Sequence, residues 1–146
     1  MSGFTGITEM QAWQAGRSLA REVYRATQSG PSHRDRAFAD QIRRAAVSVM
    51  SNTAEGFGRS TSADFLRFLD IARGSAQEVK SLLILGEDLG YFDEMQAGAI
   101  RQHLEASLGR MSGLQRYLRS TTEPSRKRVG SAERRTSNVE RRTEAP

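Results

Sequence analysis

Cysteine is absent from this 146-residue chain. Its absence excludes a disulfide framework, a thiolate nucleophile and a thiolate metal site, and it suits a reducing compartment. Long apolar runs are missing too. No stretch approaches the ~20 apolar residues of a membrane helix, and residues 1–10 lack the basic start and apolar core of a secretory signal. A soluble, cytoplasmic protein with no membrane partner is the expectation. Histidine is scarce, with only His33 and His103. A carboxylate-bridged metal centre in a bundle needs Glu-x-x-His pairs on two helices. Here Gly30 stands three residues before His33 and Ile100 three before His103. Glu55 and Glu78 are the acids expected near helix–helix contacts, too few for such a site, so no metal and no cofactor is expected. Ser48 has no evident histidine partner, and a mid-helix hydroxyl commonly bonds back to a carbonyl one turn away. Gly56-Phe57-Gly58-Arg59 is too short for a nucleotide loop and lies at the wrong end of a helix for anion binding. No catalytic residue is assigned, and the chain reads as a non-enzyme.

Lysine is nearly missing as well, at Lys80 and Lys127, so the cations are almost all arginine. Arginine's planar fork suits phosphate and interface contacts better than an ammonium does, although codon composition alone is a sufficient cause of the preference. The net charge of +5 is unevenly spread: residues 1–120 hold 15 Lys+Arg against 13 Asp+Glu, and residues 121–146 hold 7 against 4. This excess permits nucleic-acid binding without requiring it.

Four helical patterns fill the chain. The first opens on a capping box of Thr8 and Gln11, places Trp13, Gly16, Ala20, Val23, Tyr24 and Thr27 on one face, and stops at Ser29-Gly30-Pro31. The second runs from about His33 to Phe57 and ends in Gly56 and Gly58, where a left-handed residue is often required. The third starts near Thr61, with Asp64 in its first turn. Phe65, Phe68, Leu69, Ala72, Ala76, Val79, Leu82, Leu83 and Leu89 form its stripe, and Gly90 closes it. Tyr91 and Phe92 are expected to fold back onto the bundle end. The fourth is capped by Asp93 and Gln96 and carries Met95, Ala99, Ile100, Leu104, Leu108, Met111, Leu114 and Leu118 to about Arg119. Four segments of ~25 residues, roughly 37 Å each, joined by short links predict an all-α, antiparallel up-down-up-down four-helix bundle over residues 1–120. Residues 121–146 are almost devoid of apolar side chains and cannot offset the entropy of ordering. They read as a disordered basic tail, either an Arg-rich arm for phosphates or a solvated segment that aids solubility.

On the second helix Gln41, Arg44, Ser48, Asn52, Glu55 and Arg59 recur at spacings of three and four, within about 80° of one another. Phe38, Ile42, Ala45, Val49 and Thr53 form an apolar row beside them. Gln, Ser and Asn are weaker helix formers than Glu, Lys or Ala. A purely solvated row has little reason to favour them, so partial burial between helices or subunits is expected. On the third helix Arg73-Gly74-Ser75-Ala76 places small residues in succession. A mid-helix glycine costs ~1 kcal/mol relative to alanine, which close approach of another backbone would offset.

The run Gln41-Ile42-Arg43-Arg44-Ala45-Ala46-Val47-Ser48, with Asn52-Thr53-Ala54-Glu55-Gly56-Phe57-Gly58-Arg59, resembles a signature of the four-helix bundle family of the 23S rRNA-intervening-sequence protein. Phe65-Leu66-Arg67-Phe68-Leu69 and Ile71-Ala72-Arg73-Gly74-Ser75, followed by Glu78, resemble the family's third-helix signature. Trp13, Tyr24 and Leu89-Gly90-Tyr91 fit as well, so the likeness spans about residues 8–119. Met50-Ser51 stands where the family often has Pro-Ala, and Thr53 replaces a usual Ile or Val. The resemblance implies a homo-oligomer, with pentameric rings as the characteristic form, a loose connection to RNA, and no catalytic residues. Distantly similar basic bundles are accessory subunits of reverse transcriptases in diversity-generating retroelements.

The leading expectation is therefore a non-enzymatic, oligomeric, RNA-binding or RNA-associated scaffold. Arg43, Arg59, Arg67, Arg126, Lys127, Arg128, Arg134 and Arg135 are expected to contact phosphate, and structured RNA is the expected partner. Gln41, Arg44, Ser48, Asn52, Glu55, Arg73, Gly74 and Glu78 are expected to make structural or subunit contacts. The alternative is a module that binds a protein partner such as a polymerase.

Overall fold

Residues 6, 7 and 10–122 are described by the structure, a computed structural model. Among them the chain forms five helices and no strand: α1 (Gln11–Ala26), α2 (Gly30–Arg34), α3 (Arg36–Phe57), α4 (Ser62–Asp88) and α5 (Glu94–Thr122). The four long helices pack as a closed ring, α1 on α3, α3 on α4, α4 on α5 and α5 on α1. Specific contacts fix the directions. Gly16 meets Met50, Gly56 meets Phe65, and Gly86 meets Phe38. Arg73 bonds Gln115 and Arg110 bonds Gln11. Arg101 pairs with Glu87, and His103 lies beside Arg21, so along each packed pair the residue numbers run in opposite senses and every packed pair is antiparallel. The all-α architecture is the expected one, with α2 added in the first link.

The apolar row of α3 lies in the core: Phe38, Ile42, Ala45, Val49 and Thr53 are all buried, and Thr53 satisfies its hydroxyl on the Val49 carbonyl at 2.8 Å. Opposite them α4 buries Phe65, Phe68, Leu69, Ala72, Ala76, Val79, Leu82 and Leu83. From α5 come Ile100, Leu104, Met111 and Leu118. Two side chains leave their expected stripes. Leu89 is 51% exposed, because it follows the last full turn of α4, and Met95 is 84% exposed in the first turn of α5. Tyr91 and Phe92 occupy the bundle end instead, and Ala97 is the buried residue of that first turn. On α1 the stripe is centred on Ala12, Gly16, Leu19, Ala20, Val23 and Ala26. Trp13 and Tyr24 therefore sit at its edge rather than in it.

Helix ends also differ in part from expectation. Thr8 lies outside the described residues, and α1 has Met10 at its N-cap with no side-chain cap bond. Met10 anchors that end by burial instead. The α3 terminus needs no left-handed residue, since Gly58 has φ −76°; among the described residues the left-handed glycines are Gly30, at φ +77°, and Gly90, at φ +69°. Thr61 caps α4 by accepting from the Asp64 amide at 3.2 Å. Asp93 and Gln96 form the expected reciprocal box, the Gln96 amide donating to Asp93 Oδ1 and the Asp93 amide to Gln96 Oε1. The fourth long helix then continues past Arg119 to Thr122.

The second pattern is not one helix. Asp35, at φ −85° and ψ 87°, breaks it into α2 and α3. One carboxylate oxygen accepts the Phe38 amide at 3.1 Å as the N-cap of α3, and the other accepts the Tyr91 hydroxyl at 2.7 Å. The break is thus fastened to the α4–α5 turn, where Phe38 packs edge-on to Tyr91 at 5.1 Å. The Tyr91 hydroxyl, then the Phe38 amide, hold the Asp35 carboxyl below its ordinary value of 3.8, and the Asp35 carboxylate raises the Tyr91 phenol above its ordinary 10.0. A carboxyl lowered on folding contributes stability above its unfolded pKa and loses it as pH falls through the folded value. A phenol raised on folding contributes below its unfolded pKa and loses it as pH rises through the folded value. The contact should therefore stabilise the fold between about pH 4 and pH 10. Urea titrations of Tyr91→Phe and the parent should separate at neutral pH and draw together as pH falls through the lowered Asp35 value; a difference that does not change with pH would show that the charge on Asp35 plays no part.

Candidate functional site

The polar row on α3 divides into a fixed centre and exposed ends. At the centre Asn52 Nδ2 donates to the Ser48 carbonyl and to Ser48 Oγ, both at 2.9 Å, and Ser48 Oγ is 2.7 Å from Ser75 Oγ of α4. Since Ser48 Oγ accepts from Asn52, its own proton is available for Ser75. The hydroxyl is part of a bonded chain across the α3–α4 contact, which is why three polar residues tolerate half-burial there. Gln41, Arg44, Glu55 and Arg59 lie exposed at the ends, and Glu78 reaches the same shallow α3–α4 groove as Arg44 and Ser48. Partial burial within this chain thus applies to Ser48 and Asn52, not to the whole row.

Arg73 and Gly74 have separate surroundings. Arg73 donates to Gln115 Oε1 at 2.9 Å, and Gln115 Nε2 donates to Asp70 Oδ1 at 2.8 Å. Gln115 is 1% exposed, so a buried amide ties α5 to two residues of α4. Among the described residues a Cβ on Gly74 would meet nothing within 4 Å, so none of them makes the expected close approach to that glycine.

Arg59 and Arg67 converge on one aromatic ring. Arg59 lies 4.7 Å and Arg67 4.5 Å from the centroid of Phe68. Each also bonds a local carboxylate, Glu55 at 2.8 Å and Asp64 at 3.2 Å, and stays about half exposed. Arg43 is more deeply engaged. Its Nε donates to Thr27 Oγ1 at 2.7 Å and an Nη to the Thr27 carbonyl at 3.0 Å, while the guanidinium lies 4.5 Å from the Tyr24 centroid. It clamps the end of α1 to α3, which fixes the guanidinium over Tyr24. Arg126, Lys127, Arg128, Arg134 and Arg135 lie outside the described residues.

A further set escaped the sequence reading. Trp13, Arg17, Arg21 and Tyr24 recur along α1 at spacings of four, four and three, and line an open groove against Val47 and Met50 of α3. Two arginines bracketed by two aromatics at helical spacing are the signal in the sequence, masked because both aromatics also fit the apolar stripe. Among the described residues no group of three or more His, Asp or Glu side chains is placed to hold a metal, and no helix is long and apolar enough to cross a membrane.

No curated protein matches this chain. Its fold is similar to that of a solved protein of unknown function from the S23 ribosomal protein family of Bacteroides thetaiotaomicron. The two are 20% identical with a TM-score of 0.57, over 77% of this chain and 98% of the other. The model of the family described as 23S rRNA-intervening sequence protein matches residues 8–113, which take in α1 to α4 and most of α5. With the resembling motifs of α3 and α4 inside that span, the chain belongs to the 23S rRNA-intervening sequence protein family.

Proposed function

We propose that this protein is a non-catalytic, oligomeric, RNA-associated scaffold of the cytoplasm, which holds phosphate groups at one end of its helical body. The observation that carries this reading is the placement of Arg59 and Arg67 on Phe68. α1 begins, α3 ends, α4 begins and α5 ends at that end of the body, and the Arg-rich residues 121–146 follow in sequence. A guanidinium has five N–H donors. Stacking and one local carboxylate bond leave most of them on each arginine free for phosphate oxygens. A cyclic oligomer, such as the pentamer of the family resemblance, would repeat this array around a ring and turn +5 per chain into a broad positive field.

The test is the salt dependence of affinity for a structured RNA. Log affinity should fall steeply against log salt, and deletion of residues 121–146 should flatten the slope. Arg59→Ala with Arg67→Ala should lower it by about 1–2 units. No binding by the full chain at low salt would sink the proposal. One observation favours a second reading, a protein-interaction subunit such as a polymerase accessory. Ile71 (43% exposed) and Leu85 (46%) share an outward face of α4 with the open Gly74. Retention of a polymerase after nuclease treatment, with no RNA affinity, would favour that reading.

A further inference from the structure

We infer that the groove between α1 and α3 is a stacking site for single-stranded RNA, distinct from the phosphate-binding end and resting on the RNA-associated reading above. Two adjoining concavities form it, of about 580 and 440 Å³, and they share Tyr24 and Val47. The helices close tightly beneath: a Cβ on Gly16 would lie 3.2 Å from the Met50 Cα. Side chains above that contact thus form walls around an apolar floor of Ala20, Val47 and Met50.

Charge and aromatic placement together select the occupant. Arg17, Arg21, Arg43 and Arg44 line the groove against a single carboxylate, Asp40. Among the described residues no carboxylate lies within ion-pair distance of Arg17, Arg21 or Arg44, whereas Arg59 and Arg67 each have one. These three cations therefore line the groove without a direct carboxylate partner among the described residues. Trp13 lies under Arg17, 5.7 Å from its guanidinium carbon. Tyr24 is 42% exposed, and Arg43, held by Thr27, covers one face of its ring. Arg43 is a positioning residue here, and the other face of Tyr24 is left for a base. Along α1 the two rings are about 16 Å apart at 1.5 Å per residue, room for a few nucleotides. Aromatic platforms interleaved with unpaired arginines fit a strand whose bases are free to stack, because a duplex keeps its base faces covered. An acidic peptide would match the charge but leave the rings unused.

Trp13 is the only tryptophan in the chain and reports on the groove directly. The full-length protein is titrated with an oligouridine of about 12 nucleotides at about 50 mM salt. Saturable quenching of Trp13 emission is expected. Tyr24→Ala should weaken binding about tenfold, and Arg17→Glu with Arg21→Glu about thirtyfold or more, with circular dichroism and elution on a sizing column unchanged. Oligouridine binding that leaves Trp13 emission and the double variant's affinity unaltered would overturn the groove while leaving the RNA-associated reading intact. Failure of the full chain to bind any RNA would overturn both. A duplex of equal length or polyglutamate quenching as strongly would overturn stacking of a single strand, and tighter binding of oligothymidine would overturn RNA as the occupant. A change of oligomeric state in Tyr24→Ala would make this face a subunit contact instead.

Discussion

Phe65→Ala should destabilise the protein by about 3–5 kcal/mol, a large share of the roughly 5–15 kcal/mol that a domain possesses. Phe65 is 1% exposed and sits in the first turns of α4, where its ring meets the backbone of α3 at Gly56. Truncation removes a large apolar side chain and leaves a cavity between two helices. Collapse into that space is hindered, since Gly56 has no side chain to fill it. The urea midpoint should fall with little change in slope, and the melting temperature should drop by about 15 °C. A loss below about 1 kcal/mol would mean that this end of the bundle repacks freely, contrary to the close α3–α4 contact described above.

The second large effect is expected at Gly86, where two tendencies oppose each other. Alanine is a better helix former than glycine by about 1 kcal/mol, so local propensity alone favours Gly86→Ala. Packing forbids it: a Cβ would lie 2.5 Å from Phe92 Cε2 and 2.9 Å from Phe38 Cζ. Both rings are restrained, Phe38 at the capped start of α3 and Phe92 buried at 8% exposure below the α4–α5 turn. Gly86→Val adds two further methyl groups and should cost about 3 kcal/mol, with Gly86→Ala intermediate. Calorimetry gives the sign at once. A melting temperature raised by Gly86→Ala would show that the rings swing aside and that propensity decides.

Glycine also marks where sequence reasoning reached its limit. A glycine within a helical pattern says that something is unusual, without saying whether space is needed or merely tolerated. Gly74 suggests a close contact, yet no described residue of the protomer approaches it, while Gly16, Gly56 and Gly86 carry the tight approaches. The apolar row of α3 was legible because five residues at strict helical spacing leave one solution. The split at Asp35 was not, since the cue is an aspartate whose partner, Tyr91, lies far along the chain. For the same reason the centre of the polar row could be anticipated as bonded, whereas its partner Ser75 and the exposure of Arg44 and Glu55 required knowing where α4 lies. A small rotation of the α1 stripe leaves Trp13 half-buried against the core and Tyr24 exposed, which the helical spacing alone does not distinguish.

The ring of packed helices has a kinetic consequence. Each long helix except α1 on α5 finds its partner in the next segment of the chain, so most native pairings close short loops. Only the seam fastened by Gln11 and Arg110, 99 residues apart, has to draw distant segments together. Chains with such local wiring reach the native state in milliseconds or faster. Stopped-flow refolding should show a fast major phase, with the α1–α5 seam the last to form.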